Sequence, residues 1–351
     1  MPKKISNHIL ITKMRYIGDT ILITPLIKAL KEGIPHARID VLVNKGTEEM
    51  LIYHHLIDKI WTFDRLKSKK KICYAPQLLV KMRQRKYNMA IDLTSNDRSS
   101  FFNFVTGAPV RIGFTSPNLL RNKLFYTKII NSNLDSIHTV DHHLKVAEFL
   151  NISIEDRHPF IEVPPEKKSE MDNTLESYGL GKEDPFVVIH PGSRYWYKSW
   201  PIENFARLAD EIIRVFGIRV IFSGGIHDRE CVKNIIKKMD ENAIDLSGHI
   251  SLIDLPAFIK RAICLIGNDS SPIHISTAVK TPAIALFGPS FWEAWQPRRD
   301  HDQTLFAEFP CRPCGRNSQD CTMGDNYCMS SIKFEEVLDA VKKICSFPEN
   351  F

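Results

Sequence analysis

The sequence predicts an α/β protein made of two doubly wound, parallel-sheet domains. Two observations carry this reading. Short apolar, β-branched runs alternate with helix-patterned stretches in both halves of the chain. The length, 351 residues, is too great for one small core and fits two domains of about 150 to 200 residues.

The first half opens with an apolar run over 8–13 (HILITK), broken by Arg15-Tyr16-Ile17-Gly18-Asp19. A helix then runs through Leu22, Pro25, Leu26, Ala29 and Leu30, and a second strand follows at 39–43, which completes a βαβ unit. Further strands are expected at 59–63, 89–93 and 109–114. Thr94 to Arg98 opens another helix after the second of these runs, and the His138, His142 and His143 group precedes a helix that ends near Leu150. The adjacent pair His142 and His143 points apart on a helix, so a helix surface is expected there rather than a metal site. Between the strands lie LKSKKK (66–71) and a basic helical segment, 77–86, with Leu78, Leu79 and Met82 on one side. That segment reads as a solvated face or as one that rests on an anionic membrane surface.

Residues 155–184 carry prolines and charges without a strand signal, which places the linker near 163–168. The expected division is 1–165, 166–332 and a C-terminal helix from 333. The second half repeats the alternation: strand 186–189, helix 201–215, strand 218–222, Gly224-Gly225, helix 228–239, strand 243–246, a helix from Ser251, strand 264–267, a helix from Pro272 and strand 282–287.

At 43% hydrophobic and 25% charged residues, the composition is that of an ordinary soluble globular protein. The net charge of +6 favours acidic partners such as nucleotides, phosphorylated sugars or an anionic membrane, although most of these charges read as solvated surface. No apolar signal core precedes the first strand, and no run approaches roughly 18 apolar residues, so neither a standard export signal nor a membrane span is expected. Cys73, Cys231, Cys264 and Cys345 are scattered singly; in a reducing cytoplasm disulfides are not expected. No GxGxxG follows the first strand of either half and no GxxxxGK[ST] occurs. Both absences argue against a nicotinamide or flavin oxidoreductase and a P-loop phosphotransferase.

Chemistry concentrates in the loops after strands. VVIHPGSRYWYKSW (187–200) reads as strand, tight Gly/Ser loop and helix start, with Lys198 within reach. Helix N-termini offer unpaired N–H groups to an anion such as phosphate. Gly267-Asn268-Asp269-Ser270-Ser271-Pro272 is a second such turn, whose carboxylate can accept from sugar hydroxyls while its serines donate to phosphate. Phe287-Gly288-Pro289-Ser290 is a third. Asp269 and Asp19 each also fit the role of a helix N-cap. Asp19 alternatively fits an ionised carboxylate placed where α/β folds hold their ligands.

These motifs together resemble one family. MRYIGD (14–19) with Thr24-Pro25, HPGSRYWYKSWP (190–201), LSGHISLIDL (246–255), GNDSSPIHIS (267–276) and LFGPS (286–290) resemble the family 9 glycosyltransferases, the ADP-heptose:lipopolysaccharide heptosyltransferases. GSRYWYKSWP and the cysteine-bearing end, 311–328, are most similar to the heptosyltransferase III branch. The resemblance implies a GT-B fold, two Rossmann-like domains facing a cleft, with acceptor on the first and nucleotide sugar on the second. It also implies a C-terminal helix that packs back toward the first domain. Asp19 then matches the general base and Lys198 a lysine on the donor diphosphate; Asp269 matches the acid on the heptose hydroxyls. Gly192, Ser193, Arg194, Ser270, Ser271, His274 and Gly288 fall around the donor, and Leu246, Gly248 and His249 in the adenine-contacting segment. Arg15, Gly18, Arg98 and Lys45 are candidate acceptor contacts.

The implied reaction is an inverting transfer of heptose from ADP-heptose to a heptose of the lipopolysaccharide inner core. No cofactor or bound metal is implied, and the implied place is the cytoplasm, peripheral to the inner face of the membrane, with no nucleic-acid partner. The alternatives are another acceptor within the family, as in heptosyltransferase II, and a nucleotide-sugar-binding protein without transfer. Two features stay open. Family members often place an acidic residue after the glycine pair for the ribose, whereas here Asp228 stands three residues beyond Gly225. Cys311, Cys314, Cys321 and Cys328 have ligand-like spacing for zinc or an iron–sulfur cluster, against reduced, partly buried thiols. Asp300-His301-Asp302 matches a DxD pattern but lies in an arginine-rich polar segment, not at the end of an apolar strand, and is not expected to hold a metal.

Overall fold

The computed structural model describes residues 7–70, 74–115, 123–132, 137–311, 314 and 327–345. The chain divides into two units, Met1–Pro159 and Phe160–Phe351. The division precedes the expected linker because Ile161 is buried and its N–H bonds to the Ala278 carbonyl. Residues 165–168 are not linker; they open a helix over Pro165–Ser177, in whose first turn a proline loses no hydrogen bond.

In the first unit the strands are β1 (His8–Lys13), β2 (Arg38–Asn44), β3 (Lys59–Phe63), β4 (Met89–Asp92), β5 (Val110–Phe114) and β6 (Lys128–Ile130). They form one parallel sheet in the order β3-β2-β1-β4-β5-β6. Every residue of β1 is buried, as expected of a central parallel strand covered on both faces. Chain order reverses between β1 and β4, and such a switch point opens a crevice at the carboxyl ends of the strands. The helix expected after β1 is two: α1 (Ile17–Ile21) and α2 (Thr24–Gly33). Pro25 lacks the N–H that would continue α1 and sits in the first turn of α2, where none is needed. The helices α3 (Arg65–Lys70), α4 (Tyr74–Gln84), α5 (Asp97–Val105) and α6 (Thr139–Phe149) complete the connections.

The histidines of α6 are not on its surface. His138, His142 and His143 are all buried. The His142 ring stacks on Phe114, centroids 3.9 Å apart, and its Nδ1 meets the Ser132 hydroxyl at 2.9 Å. Adjacency on a helix separates two side chains by about 100°, and a helix sunk between a sheet and its neighbours buries more than one stripe.

In the second unit β7 (Phe186–His190), β8 (Arg219–Phe222), β9 (Ile244–Asp245), β10 (Leu265–Asn268), β11 (Ala283–Phe287) and β12 (Gln303–Phe306) form a parallel sheet ordered β12-β11-β10-β7-β8-β9. Counted from β9 this is the first unit's topology again, with its switch point between β7 and β10. The principal helices are α7 (Pro165–Ser177), α8 (Ile202–Phe216), α9 (Arg229–Ile236), α10 (Leu255–Lys260) and α11 (Ser271–Val279). The short α12 (Trp292–Trp295) and α13 (Tyr327–Ser330) precede the C-terminal α14 (Phe334–Cys345). The apolar face of α14, with Phe334, Val337, Val341 and Ile344, enters the second unit's own core beside Trp200 and Phe205. Trp200 is sealed into that core and spends its indole N–H on the Ile332 carbonyl, 3.1 Å away. No helix among the described residues is long and apolar enough to cross a membrane.

Burial, reinforced by the Lys13 charge, lowers the His142 pKa to about 4 and His143 well below its ordinary value. An unfolded histidine binds a proton as pH falls through about 6.5 and these two do not. The unfolded state therefore binds more protons in that window, and stability must fall with acid. Between about pH 7 and pH 5 the His142 ring is expected to cost the first unit about 2 kcal/mol, with His143 acting in the same direction. His142→Gln should remove about one ring's share, seen as a shallower pH dependence of the urea midpoint.

Candidate active site

Loops at the carboxyl ends of five strands of the second unit converge. The His190-Pro191-Gly192-Ser193 loop leaves β7 and does not run directly into a helix, as the sequence suggested; a 3-10 turn, Trp196–Lys198, comes first. That turn carries Lys198 back to the switch point, where Nζ donates to Asp269 Oδ2 at 2.6 Å. The Ser290 hydroxyl donates to the same oxygen at 2.5 Å. Loops after β7, β10 and β11 thus meet on one carboxylate.

Asn268, the last residue of β10 and fully buried, holds this arrangement from beneath. Its Nδ2 donates to the Pro191 carbonyl at 2.7 Å and its Oδ1 accepts from the Trp200 N–H at 3.0 Å. Both ends of the Lys198 loop are pinned by one amide. The hydroxyl oxygens of Ser193 and Ser270 are buried without a partner. A buried hydroxyl left unpaired costs about 1 to 3 kcal/mol, so both serines can take up a polar group brought to these loops.

On the other side of β7, Asp228 accepts from the Gly225 N–H at 2.7 Å. A β-carbon at Gly192 would lie 2.6 Å from the Asp228 carboxylate, so only glycine lets the two loops close on each other. Gly248 has φ +69°, the left-handed conformation that favours glycine. Its N–H donates to the Gly224 carbonyl at 2.7 Å. Arg229, at the start of α9, donates to the carbonyls of Ser247 (3.0 Å) and Gly248 (3.3 Å) and fixes the segment that begins at buried Leu246. His190 beneath this side is buried, which lowers its pKa to about 4 against the opposing charge of Asp228; its Nδ1 lies 3.0 Å from the Ser223 hydroxyl.

The remaining residues expected around the donor fall as follows. Arg194 is exposed and lies over the Tyr195 ring at 5.6 Å. Ser271 is half-buried at the start of α11. His274 is buried one turn on, its ring 6.3 Å from Trp295. His249 lies 3.5 Å from the Tyr178 hydroxyl. A side chain at Gly288 would run into Met329, and Cys328 Sγ stands 3.3 Å from the same point; the Cys314 N–H donates to the Pro289 carbonyl at 3.0 Å. Cys321 lies outside the described residues, among which no group of three His, Cys, Asp or Glu side chains is placed to hold a metal. The Asp302 carboxylate is taken up by the Ala283 and Arg299 N–H groups and the Thr277 hydroxyl.

In the first unit the matching switch point is followed by α1, whose first turn carries Asp19. Its Oδ1 pairs at 3.3 Å with Nζ of Lys13, the buried last residue of β1. Lys13 also donates to the Leu93 carbonyl (3.2 Å) and meets His143 Nε2 at 3.1 Å. His143 Nδ1 faces the Leu22 carbonyl at 3.0 Å and must donate to it, so Nε2 offers a lone pair and accepts from Lys13. Burial draws the Lys13 pKa down and Asp19 opposes this. Three acceptors around one ammonium satisfy all three of its protons. Neither Lys13 nor His143 carried a sequence signal for this role, because each read as part of an ordinary element. Gly18 is buried within α1, Arg15 is half-buried, Arg98 lies 5.3 Å over the Phe63 ring, and Lys45 pairs with Asp64 at 3.0 Å.

The sequence model of glycosyltransferase family 9 (heptosyltransferase) matches residues 77–323. The chain belongs to this family. Lipopolysaccharide heptosyltransferase 3 of Escherichia coli is 30% identical over 292 residues, 80% of this chain and 84% of that protein. The family 9 glycosyl transferase of Veillonella parvula superposes with a TM-score of 0.86 at 26% identity, covering 97% of each chain. The E. coli ADP-heptose lps heptosyltransferase II superposes with a TM-score of 0.78 at 20% identity, over 97% of this chain and 98% of that one. The two parallel-sheet units are those of a GT-B glycosyltransferase, and this family 9 chain is an enzyme of that kind.

Asn268→Leu keeps the branched shape and removes both hydrogen bonds, leaving a buried carbonyl and a buried N–H unpaired. A loss of about 2 to 4 kcal/mol is expected. Faster hydrogen exchange at the Trp200 amide than elsewhere in the second unit should accompany it.

Proposed function

We propose that this enzyme transfers heptose from ADP-heptose to a heptose of the lipopolysaccharide inner core, with inversion and without a bound metal, in the manner of heptosyltransferase 3. The observation that carries the reading is the Lys198–Asp269 pair at the second unit's switch point, with the unpartnered hydroxyls of Ser193 and Ser270 in the same loops. A diphosphate placed there would draw Lys198 from Asp269 and take up the serine hydroxyls, freeing Asp269 to accept from the sugar. As ADP departs, its growing charge falls on Lys198, the position at which a fixed cation lowers a barrier most. The segment from Leu246 to His249, held by Arg229, offers backbone groups to adenine. Asp228, beside Gly192 and Gly225, is the carboxylate nearest to hand for the ribose.

Inversion needs one base, opposite the leaving group, to take the acceptor hydroxyl's proton. Asp19 fits this role: it is oriented by Lys13 rather than used as a helix cap, since the cap position of α1 is Tyr16 and makes no side-chain hydrogen bond. Arg15, Arg98 and Lys45 supply cations suited to a phosphorylated core saccharide. The chain would work in the cytoplasm at the inner face of the membrane. The heptosyltransferase 3 relative, at 30% identity, supports an acceptor of the heptosyltransferase 3 kind.

The test is ADP release from ADP-heptose with a panel of truncated core acceptors, with and without chelator. Release that requires a heptosylated acceptor and survives chelation supports the reading; a different acceptor would move it to another step. Tight ADP-heptose binding with no release would favour a binding protein. Asp19→Asn is expected to lower kcat by about 100-fold or more with donor affinity nearly intact, and unchanged turnover removes Asp19 from the role. Lys198→Ala is expected to cost about 100- to 1,000-fold in kcat.

A further inference from the structure

The first unit exposes a cluster of large apolar side chains that its core does not use. Phe101 and Phe104, one turn apart on α5, are 46% and 44% exposed, and Leu124 is 61% exposed. Phe125 joins them, its ring 5.5 Å from Phe104 and 6.5 Å from Phe101, edge to face in both cases. Single exposed apolar residues are ordinary; three rings in contact, with exposed Leu124 beside Phe125 in the chain, mark a surface that something covers.

Cations frame the cluster. The Arg111 guanidinium lies 5.4 Å over the Phe104 ring and is fixed there by the Phe125 carbonyl at 2.7 Å and the Ala108 carbonyl at 2.8 Å. Arg83 of α4 donates to the Val105 carbonyl at the end of α5. Lys123 and Lys128 are exposed on either side of Leu124 and Phe125. From Arg98 to Leu134 the sequence has no acidic residue, and between Arg65 and Leu134 only Asp92 and Asp97 interrupt a run of lysines and arginines. Asp92 is buried, accepting from the Tyr126 and Ser99 hydroxyls. Asp97, exposed one turn before Phe101 on α5, is the one carboxylate between Arg65 and Leu134 left at the surface. An aromatic patch flanked by Arg111, Lys123 and Lys128 still carries a positive excess and complements a surface that is negative at the headgroups and apolar beneath them.

We infer that Phe101, Phe104, Leu124 and Phe125, with Lys123, Lys128 and Arg111, form the face by which this enzyme sits on an anionic lipid bilayer. The inference rests on the proposed function in one respect, since a lipid-anchored acceptor gives the first unit a reason to dock. The aromatic rings enter the headgroup layer, the level that amphipathic rings prefer. The lysine stems lie along it with their ammonium groups on phosphate. Phe104 and Phe125 are held by Arg111 on ordered elements, so little side-chain freedom is lost on docking.

The experiment is flotation of the full-length protein with vesicles of phosphatidylethanolamine containing about one-quarter phosphatidylglycerol, against pure phosphatidylcholine. The wild-type chain is expected to float with the anionic vesicles and stay with the soluble fraction beside the neutral ones. Phe101→Gln with Phe104→Gln, and separately Lys123→Glu with Lys128→Glu, should each cut the vesicle-bound fraction by about ten-fold. Val215→Gln, at an exposed apolar position of the second unit, should leave it unchanged. The lysine pair keeps the test decisive if the phenylalanine pair perturbs folding. Wild-type protein that does not float, or either double variant floating as wild type does, overturns the inference. ADP release with a soluble truncated acceptor separates the two readings. If the variants keep that activity and lose the vesicles, both stand; if no acceptor supports release while flotation behaves as expected, the docking face stands and the proposed reaction falls.

Discussion

One buried amide sets the geometry of the loops at the second unit's switch point. Where β7 and β10 lie side by side, the chain leaving β7 must turn away from the sheet, pass Lys198 and return at Trp200 before α8 can begin. Nothing in the regular ladder constrains that excursion. Asn268 does so by accepting from the Trp200 N–H and donating to the Pro191 carbonyl, so the loop is closed at its base while its tip stays open to solvent. An apolar residue would satisfy neither group, and a carboxylate could not donate to the carbonyl. Trp200 adds the second restraint: its ring is locked in the core and its indole N–H reaches the segment before α14. The short reach of Lys198 to Asp269 follows from these two anchors.

The two units solve the same problem with charge. Each has a lysine paired to a carboxylate at a switch point, but the surroundings differ. Lys198 and Asp269 are partly open to water, so their pair can be exchanged for a ligand at modest cost. Lys13 is buried with three acceptors and has nowhere to go, which suits a group that orients rather than binds. His143 makes this possible. A protonated imidazole would leave Lys13 one acceptor short and add a second buried positive charge; burial and the Lys13 charge keep the ring neutral, and the bond to the Leu22 carbonyl fixes the tautomer that turns its lone pair toward the ammonium.

Much of the architecture was legible in the sequence because parallel central strands are buried on both faces and read as unbroken apolar runs; FVVIH and IALF are hard to mistake. The edge strands β6 and β12 were not legible, since KII and QTLF are short and half-exposed and lack that signal. The loops of the second unit's switch point were visible as glycine, serine and aspartate after strands. What joins them was not: Asn268 reads as one more polar residue in a turn, Ser290 as a turn serine, and Lys13 as the end of a strand. Their roles depend on which strands are neighbours, information carried by the sheet order and not by any local stretch. The α6 histidines misled for the same reason. Polarity and adjacency suggested a surface, and only the packing of α6 against β5 and α2 shows why rings with one donor and one acceptor are used in its interior.

Asp228 illustrates how a small residue at one loop determines what a neighbouring loop can offer. The sequence offset it from the glycine pair by two residues, which seemed to remove it from the ligand. A 3-10 turn over Ile226–Asp228 brings it back, so that its carboxylate caps the Gly225 N–H and rests against Gly192. One oxygen is held by the backbone, and the side chain lies where the β7 and β8 loops meet. Any side chain at Gly192 or Gly224 would occupy that space. The glycines are therefore less a flexible phosphate loop than the clearance for a carboxylate, and the spacing that departs from the family pattern still places an acid between the β7 and β8 loops.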